Sequence, residues 1–381
     1  MLSFSALDLP LGYYIGLAAL FGLAIGSFLN VVIHRVPLGQ SITLPASHCP
    51  YCQTKLRPYD NIPLLSYAWL RGRCRHCQTR IAWRYPLVEL LTALLFAAIV
   101  WRTGAEWWAL VQMAFGAVML ALIFIDAQHQ LLPDVLTYPA FVAVFLANAW
   151  HSGWRVAGLQ TIGDYIPPRL TNNTFSLGEA ALYGALICAL AAPAFLLLDW
   201  LEVLLFDRYF EAESDAESAL DRLDEQAEAD PAEIAESEGR ERMRQRVVAA
   251  TLLFGVMLAV GWGGLLYHYA PANPLIYERA YHALQNAFIG AALAAGTIWL
   301  LRALYFVLRR AEGMGLGDVK MMAVIGGFLG WYPAFGVLLY GSVLGAIAGL
   351  IIARFSKDGF NTALPFGVCL GAMAIVVMLG L

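Results

Sequence analysis

The chain has 381 residues, 60% of them hydrophobic and only 14% charged, whereas a soluble domain carries about a quarter charged residues. This composition excludes an ordinary soluble globular protein. The formal net charge of −4 hides a segregation: thirteen acids fall between Glu211 and Glu241 against only Arg222 and Arg240, so the rest of the chain is basic.

The apolar residues arrive in long blocks. Residues 9–33 contain no charged side chain, and at about 1.5 Å per residue such a block crosses a roughly 30 Å hydrocarbon core. Asp8 stands where a cleaved leader carries basic residues, and no convincing small-residue cleavage site follows, so the first span, 11–33, is expected to be retained. Charge-poor runs predict further spans at 87–101, 107–125, 136–150 and 180–198, and then at 247–267, 287–308, 321–331, 334–353 and 364–381. The expected fold is all-α: a polytopic helical membrane protein of about ten spans. The run at 321–331 is the weakest, because Trp331, Tyr332 and Pro333 split the uncharged stretch between Lys320 and Arg354 unevenly, and a re-entrant segment also fits.

Lys and Arg concentrate in cytoplasmic loops. With the N-terminus outside, only Arg102, Arg155, Arg169 and Arg279 fall outside, and the other twenty of the 24 basic residues face the cytoplasm. This places the loop 34–86, the turn after Asp126, the acidic segment and the turn around Asp318 in the cytosol. The expected organisation is a first span (1–34), a cytoplasmic loop (35–86), spans carrying the first acid (87–205), an acidic insertion (206–246) and a second set of spans (247–381). The acidic insertion is rich in Glu, Ala and Arg and poor in aromatics, which suits a solvated helix or a disordered tether, with a docking surface for a basic partner as the alternative. The outer segment 151–178, with Pro167 and Pro168, reads as a loop, and no internal repeat of convincing period stands out.

Within the cytoplasmic loop, Cys49-Pro50-Tyr51-Cys52 and Cys74-Arg75-His76-Cys77 form two C-x-x-C knuckles separated by 21 residues. That spacing predicts a four-cysteine zinc site, and the reducing cytosol disfavours two disulfides. Such a site has no open coordination position, so the metal is structural rather than hydrolytic. His48 and His76 are expected as neighbours, not ligands, and Cys188 and Cys369 as buried apolar residues. The loop carries eight basic residues from Arg35 to Arg84 against the single acid Asp60. This suits anionic lipid headgroups or an acidic ligand, and equally an ordinary positive-inside bias.

Two acids stand at the cytoplasmic ends of apolar runs. Asp126 precedes the turn that ends in Leu131-Leu132-Pro133-Asp134, and Asp318 follows Gly315-Leu316-Gly317, with Lys320 two residues on. Carboxylates at membrane depth are costly and face the protein interior or water, which makes them functional candidates. Were Asp126 and Asp318 to meet, repulsion would leave one ionised and one protonated, the requirement of an aspartic peptidase. Gly315 and Gly317 would let backbone approach a substrate without a Cβ in the way. Asp134 and Asp318 could instead be helix N-caps.

At these residues the sequence resembles the type IV prepilin peptidase family. The shared motifs run in order through Gly26-Ser27-Phe28-Leu29-Asn30, the two knuckles, Arg84-Tyr85-Pro86-Leu87-Val88-Glu89, Asp126, the Leu-Leu-Pro-Asp turn, the G-x-G-D of Gly315 to Asp318, and Pro365-Phe366-Gly367. The resemblance implies cleavage of a basic leader from prepilins and type II secretion pseudopilins at the inner membrane, then methylation of the new N-terminal residue by S-adenosylmethionine. It implies Asp126 and Asp318 as the catalytic pair, Gly315, Gly317, Lys320 and Asp134 as supporting residues, and methyl transfer in the N-terminal third. There Asn30, Gly72 and Glu89 are the best polar or backbone-permissive candidates. For Glu89 the competing expectation is a pair with Arg84 or a helix cap. The chain lacks H-E-x-x-H and G-x-S-x-G, which disfavours metalloprotease and serine-nucleophile chemistry. The expected partners are the bilayer and the prepilin substrates, with no nucleic acid. The alternative reading is a non-enzymatic transporter or assembly scaffold with a zinc docking loop.

Overall fold

The computed structural model describes residues 9–43, 47–49, 51–150, 274–309, 314–355 and 365–381. Among these the chain is mostly helical: α1 (Leu11–Arg35), α2 (Leu65–Trp69), α3 (Arg84–Thr103), α4 (Trp107–His129), α5 (Asp134–Trp150), α6 (Pro274–Arg309), α7 (Leu316–Leu329), α8 (Trp331–Phe355) and α9 (Phe366–Met378). Five of them, α1, α3, α4, α6 and α8, are long and apolar enough to cross a membrane. The predicted spans at 180–198 and 247–267, the outer segment 151–178 and the acidic insertion lie outside the described residues.

Local sequence sets the helix ends. Pro10 precedes α1, whose last turn carries His34 and Arg35 against the negative end of the helix dipole. Gly104 (φ 77°) terminates α3, and Gln130 (φ 51°) turns the chain out of α4 while its N–H returns to the Asp126 carbonyl at 2.9 Å. The run predicted at 321–331 is instead the 14-residue helix α7, which Gly330 (φ 84°) stops. At about 1.5 Å per residue it is too short to cross upright.

The chain divides into two compact units. Among the described residues, the first holds α1 to α4, nearly all of α8, and α9. Here α1 lies along α3, and the reason is a pair of glycines one turn apart. A Cβ on Gly22 would stand 2.7 Å from Ala93 Cα, and one on Gly26 2.7 Å from Glu89 Cα, so only glycine lets these backbones approach. Helix α4 packs on α1, α3 and α9. The second unit holds most of α5, with α6 and α7. A side chain on Gly290 of α6 or Gly326 of α7 would run into the other helix's backbone, and Asn148 of α5 donates to the Gly327 carbonyl at 3.1 Å.

Candidate functional site

In the cysteine loop each knuckle is a tight hairpin of the same construction. Cys49 N–H donates to Thr54 O and Gln53 N–H to Cys49 O; Cys74 N–H donates to Thr79 O and Gln78 N–H to Cys74 O. Gln53 (φ 55°) and Gln78 (φ 56°) both adopt the left-handed conformation. The knuckles therefore repeat one pattern, Cys-x-x-Cys-Gln-Thr followed by a base, a short internal repeat that a search for longer periods misses. The four sulfurs of Cys49, Cys52, Cys74 and Cys77 lie within 4.8 Å of one another. Cys49 Sγ and Cys77 Sγ are 3.8 Å apart, the edge length of a tetrahedron of sulfurs about 2.3 Å from a central ion. This donor set fits a metal ion.

The thiols are electrostatically unequal. Burial pushes Cys49 up to about 11, whereas hydrogen bonds from the Thr79 side chain and backbone bring Cys77 down to about 6. Thr54 acts on Cys52 in the same downward direction. The loop's single acid, Asp60, is engaged by Arg75 at 2.7 Å.

Between this loop and the adjoining ends of α1, α3 and α4, within the first unit, lies a cavity of about 710 Å³ lined in part by Ser27, Asn30, Arg84, Glu89, Phe124 and Gln128. Asn30 donates Nδ2–H to the Tyr85 carbonyl at 3.0 Å. Glu89 Oε2 accepts the N–H of Leu64 at 2.8 Å, and the Ser27 side chain also hydrogen-bonds this carboxylate. Leu64 itself is left-handed (φ 57°), so Glu89 braces a strained corner of the loop against α3. The expected alternatives for Glu89 fail: Arg84 turns to the Gln128 side chain instead, and Glu89 is the sixth residue of α3 rather than its cap. Gly72 is not among the cavity's lining residues. It forms a turn at φ +67°, where a Cβ would stand 2.9 Å from the hydroxyl of Tyr67.

Asp126 sits in the last turn of α4, buried, and its Oδ2 accepts the Val368 N–H at 3.0 Å, with Gly367 N–H also directed to the carboxylate. Asp134 is the first residue of α5. In the second unit Asp318 is buried in the first turn of α7, whose N-cap is Gly315 rather than Asp318. Among the described residues a Cβ on Gly315 would meet only Gly317 N, at 3.9 Å. Lys320 is buried, its Nζ 5.4 Å from the Tyr138 ring centroid, a cation–π contact invisible in the sequence.

Fold and site together define a helical membrane protein with a four-cysteine cluster that could hold a metal ion and with buried carboxylates at helix ends. Residues 20–103 match the bacterial peptidase A24 N-terminal domain, and residues 244–350 match the type IV leader peptidase family. Asp126 lies between the two matched stretches. A prepilin leader peptidase/N-methyltransferase of Pseudomonas putida is 26% identical over 389 residues, which cover 96% of this chain and 91% of that protein. The leader peptide-processing enzyme for type 4 prepilin-like proteins of Escherichia coli O78:H11 is 50% identical over 141 residues, 32% of this chain and 52% of its own length. A prepilin leader peptidase/N-methyltransferase of Neisseria gonorrhoeae is 40% identical over 151 residues, 33% of this chain and 53% of its own. No solved structure matches the chain. The chain belongs to the type IV leader peptidase family.

Proposed function

We propose that this protein removes the basic leader from type IV prepilins, and from type II secretion pseudopilins, at the cytoplasmic face of the inner membrane, and then N-methylates the residue exposed. The observation that carries the reading is a buried carboxylate in each of the family's two acid motifs, Asp126 in the last turn of α4 and Asp318 in the first turn of α7. In this reading the ionised member of the pair takes a proton from water, and the protonated member hydrogen-bonds the scissile carbonyl and then protonates the leaving amine. Gly315 and Gly317 admit the substrate backbone, and Lys320 and Asp134 hold the two turns.

The cysteine cluster takes Zn²⁺. A complete set of four sulfurs leaves no position for water, so the ion's role is to fold the loop over the cavity. S-adenosylmethionine, when bound, supplies an electrophilic methyl group. Asn30 and Glu89 line the cavity, Glu89 as the group that holds the new amine and takes its proton, while the Gly72 turn supports the cavity wall. A transporter or scaffold is not favoured, because the similarity to leader peptidases/N-methyltransferases extends over 96% of the chain. The test is incubation of a prepilin-like peptide with the purified protein and S-adenosylmethionine, reading leader loss and added methyl mass together. A peptide that shows neither leader loss nor added methyl mass would refute the proposal.

A further inference from the structure

The cavity in the first unit contains two polar atoms that the protein itself does not satisfy, and they have opposite character. Asn30 is 3% exposed, and its Oδ1 accepts no hydrogen bond. Its orientation is fixed, since the Nδ2 on the other side donates to the Tyr85 carbonyl at 3.0 Å. Arg84, the residue before Tyr85, has a buried Nε with no acceptor. Its guanidinium is held in place by the Gln128 side chain at Nη1 and by the Tyr85 ring, whose centroid is 5.2 Å away. With Nη1 committed, Nε and Nη2 remain, and the edge they form is the one that grips a carboxylate through two parallel bonds. Both residues line the cavity. An orphan acceptor and an orphan donor on residues lining one cavity fit a ligand that offers an ammonium and a carboxylate together, because buried polar atoms are normally satisfied.

We propose that Asn30 and Arg84 form a clamp for the free α-amino-acid end of the methyl donor, Asn30 Oδ1 taking its ammonium and Arg84 its carboxylate. This rests on the methyltransferase reading above. The new N-terminus of a cleaved pilin is a poorer match, since the carbon bearing its amine continues into a neutral amide rather than a carboxylate. The Glu89 carboxylate, braced by Leu64 N–H and Ser27, remains for that incoming amine. A cavity of about 710 Å³ also leaves room beyond the clamp for the nucleoside.

Equilibrium dialysis of S-adenosylhomocysteine, the demethylated product, against the full-length protein in detergent tests this, with decarboxylated S-adenosylhomocysteine as the comparison ligand. The wild type should bind the intact ligand about tenfold or more tightly than the decarboxylated one, the effect of a charge-assisted carboxylate contact. Arg84→Gln should weaken the intact ligand to the level of its analogue and leave the analogue unchanged, which also shows that the variant is folded. Asn30→Leu should weaken both. Equal affinities in the wild type overturn the clamp without reference to any variant, and so does an Arg84→Gln protein that keeps the preference. A wild type that methylates a pre-cleaved peptide but binds both ligands equally overturns the clamp alone. One that neither methylates nor binds overturns the methyltransferase reading with it.

Discussion

The main-chain N–H of Val368 donates to Oδ2 of Asp126 across 3.0 Å, joining residues 242 positions apart. Val368 lies in the first turn of α9, where helical N–H groups have no partner within their own helix. Pro365 starts that helix, and the Gly367 N–H points to the same carboxylate. The Pro-Phe-Gly motif near the C-terminus thus has a physical task. It supplies the backbone donors that fix one side of Asp126 and leave the remaining lone pairs for water or substrate.

Asn at position 126 can still present an oxygen to Val368, so Asp126→Asn removes charge and proton without removing the brace. Asp126→Asn and Asp318→Asn should each lower leader cleavage by about 10²- to 10⁴-fold, the usual contribution of a positioned acid or base. Thermal unfolding in detergent should be nearly unchanged. Asp134→Asn should cost less than either, since Asp134 stands at the first position of α5, where Asn also suits a helix start. Cleavage assays on prepilin in membranes check the ranking, and a larger loss at Asp134 would redraw the pair.

What was legible in the sequence was whatever depends on spacing along the chain. The C-x-x-C pairs announced the cluster, and the charge-free runs announced α1, α3, α4, α6 and α8. The partners of the buried polar groups were not legible, because they are backbone atoms of distant residues: Val368 for Asp126, Leu64 for Glu89, Tyr85 for Asn30. Any residue type provides a backbone N–H or carbonyl, so no side-chain pattern marks it. The shortness of α7 was legible as the weak run 321–331, but its start at Leu316, ahead of Asp318 and Lys320, was not. Beyond Lys320 its residues are apolar to the end, and Gly330 at φ 84° shows where it stops.

The metal prediction separates folding from cleavage. Purified under reducing conditions, the protein should carry about one zinc per chain by mass spectrometry. Replacing the buried Cys49 or Cys74 by Ser should release the ion and expose Lys55, Arg71 and Arg73 to trypsin, since closed cysteine sites derive folding free energy from the metal. Cleavage should survive in part, because neither of the proposed catalytic acids, Asp126 and Asp318, belongs to the loop. A metal-free protein whose loop still resists trypsin would exclude a structural zinc.

Gly26 is a test of the helix contact beneath the cavity. A Cβ there would stand 2.7 Å from Glu89 Cα and 3.1 Å from Thr92 Oγ1, and the first of these is backbone that cannot rotate away. Gly26→Val should therefore force α1 from α3 at a cost of about 1–3 kcal/mol, seen as a lower thermal midpoint in detergent, and should impair methylation more than cleavage. Gly16→Val is the matched control, since among the described residues a Cβ at Gly16 meets nothing within 4 Å. Equal midpoints for the two variants would show that the α1–α3 approach is looser than described.

Glu89 carries the last prediction, and the choice of substitution decides what is learned. Glu89 is 8% exposed, and because an unneutralised charge at such a site is expensive, a function is the reason to keep it there. One of its tasks is structural, because Oε2 receives the Leu64 N–H at 2.8 Å and holds the left-handed corner of the cysteine loop. A glutamine keeps an oxygen for that bond and loses only the negative charge. Glu89→Gln should consequently leave the loop protected from trypsin and leader cleavage near normal. N-methylation of a pre-cleaved peptide should fall by about 10²-fold or more, as expected when a proton acceptor for the attacking amine is lost. Glu89→Leu removes the bond as well, so the loop should also become protease-sensitive. The contrast between the two variants isolates the charge from the brace. If Glu89→Gln methylates at the wild-type rate while Glu89→Leu does not, the residue is a brace alone, and the proton must leave the amine by another route.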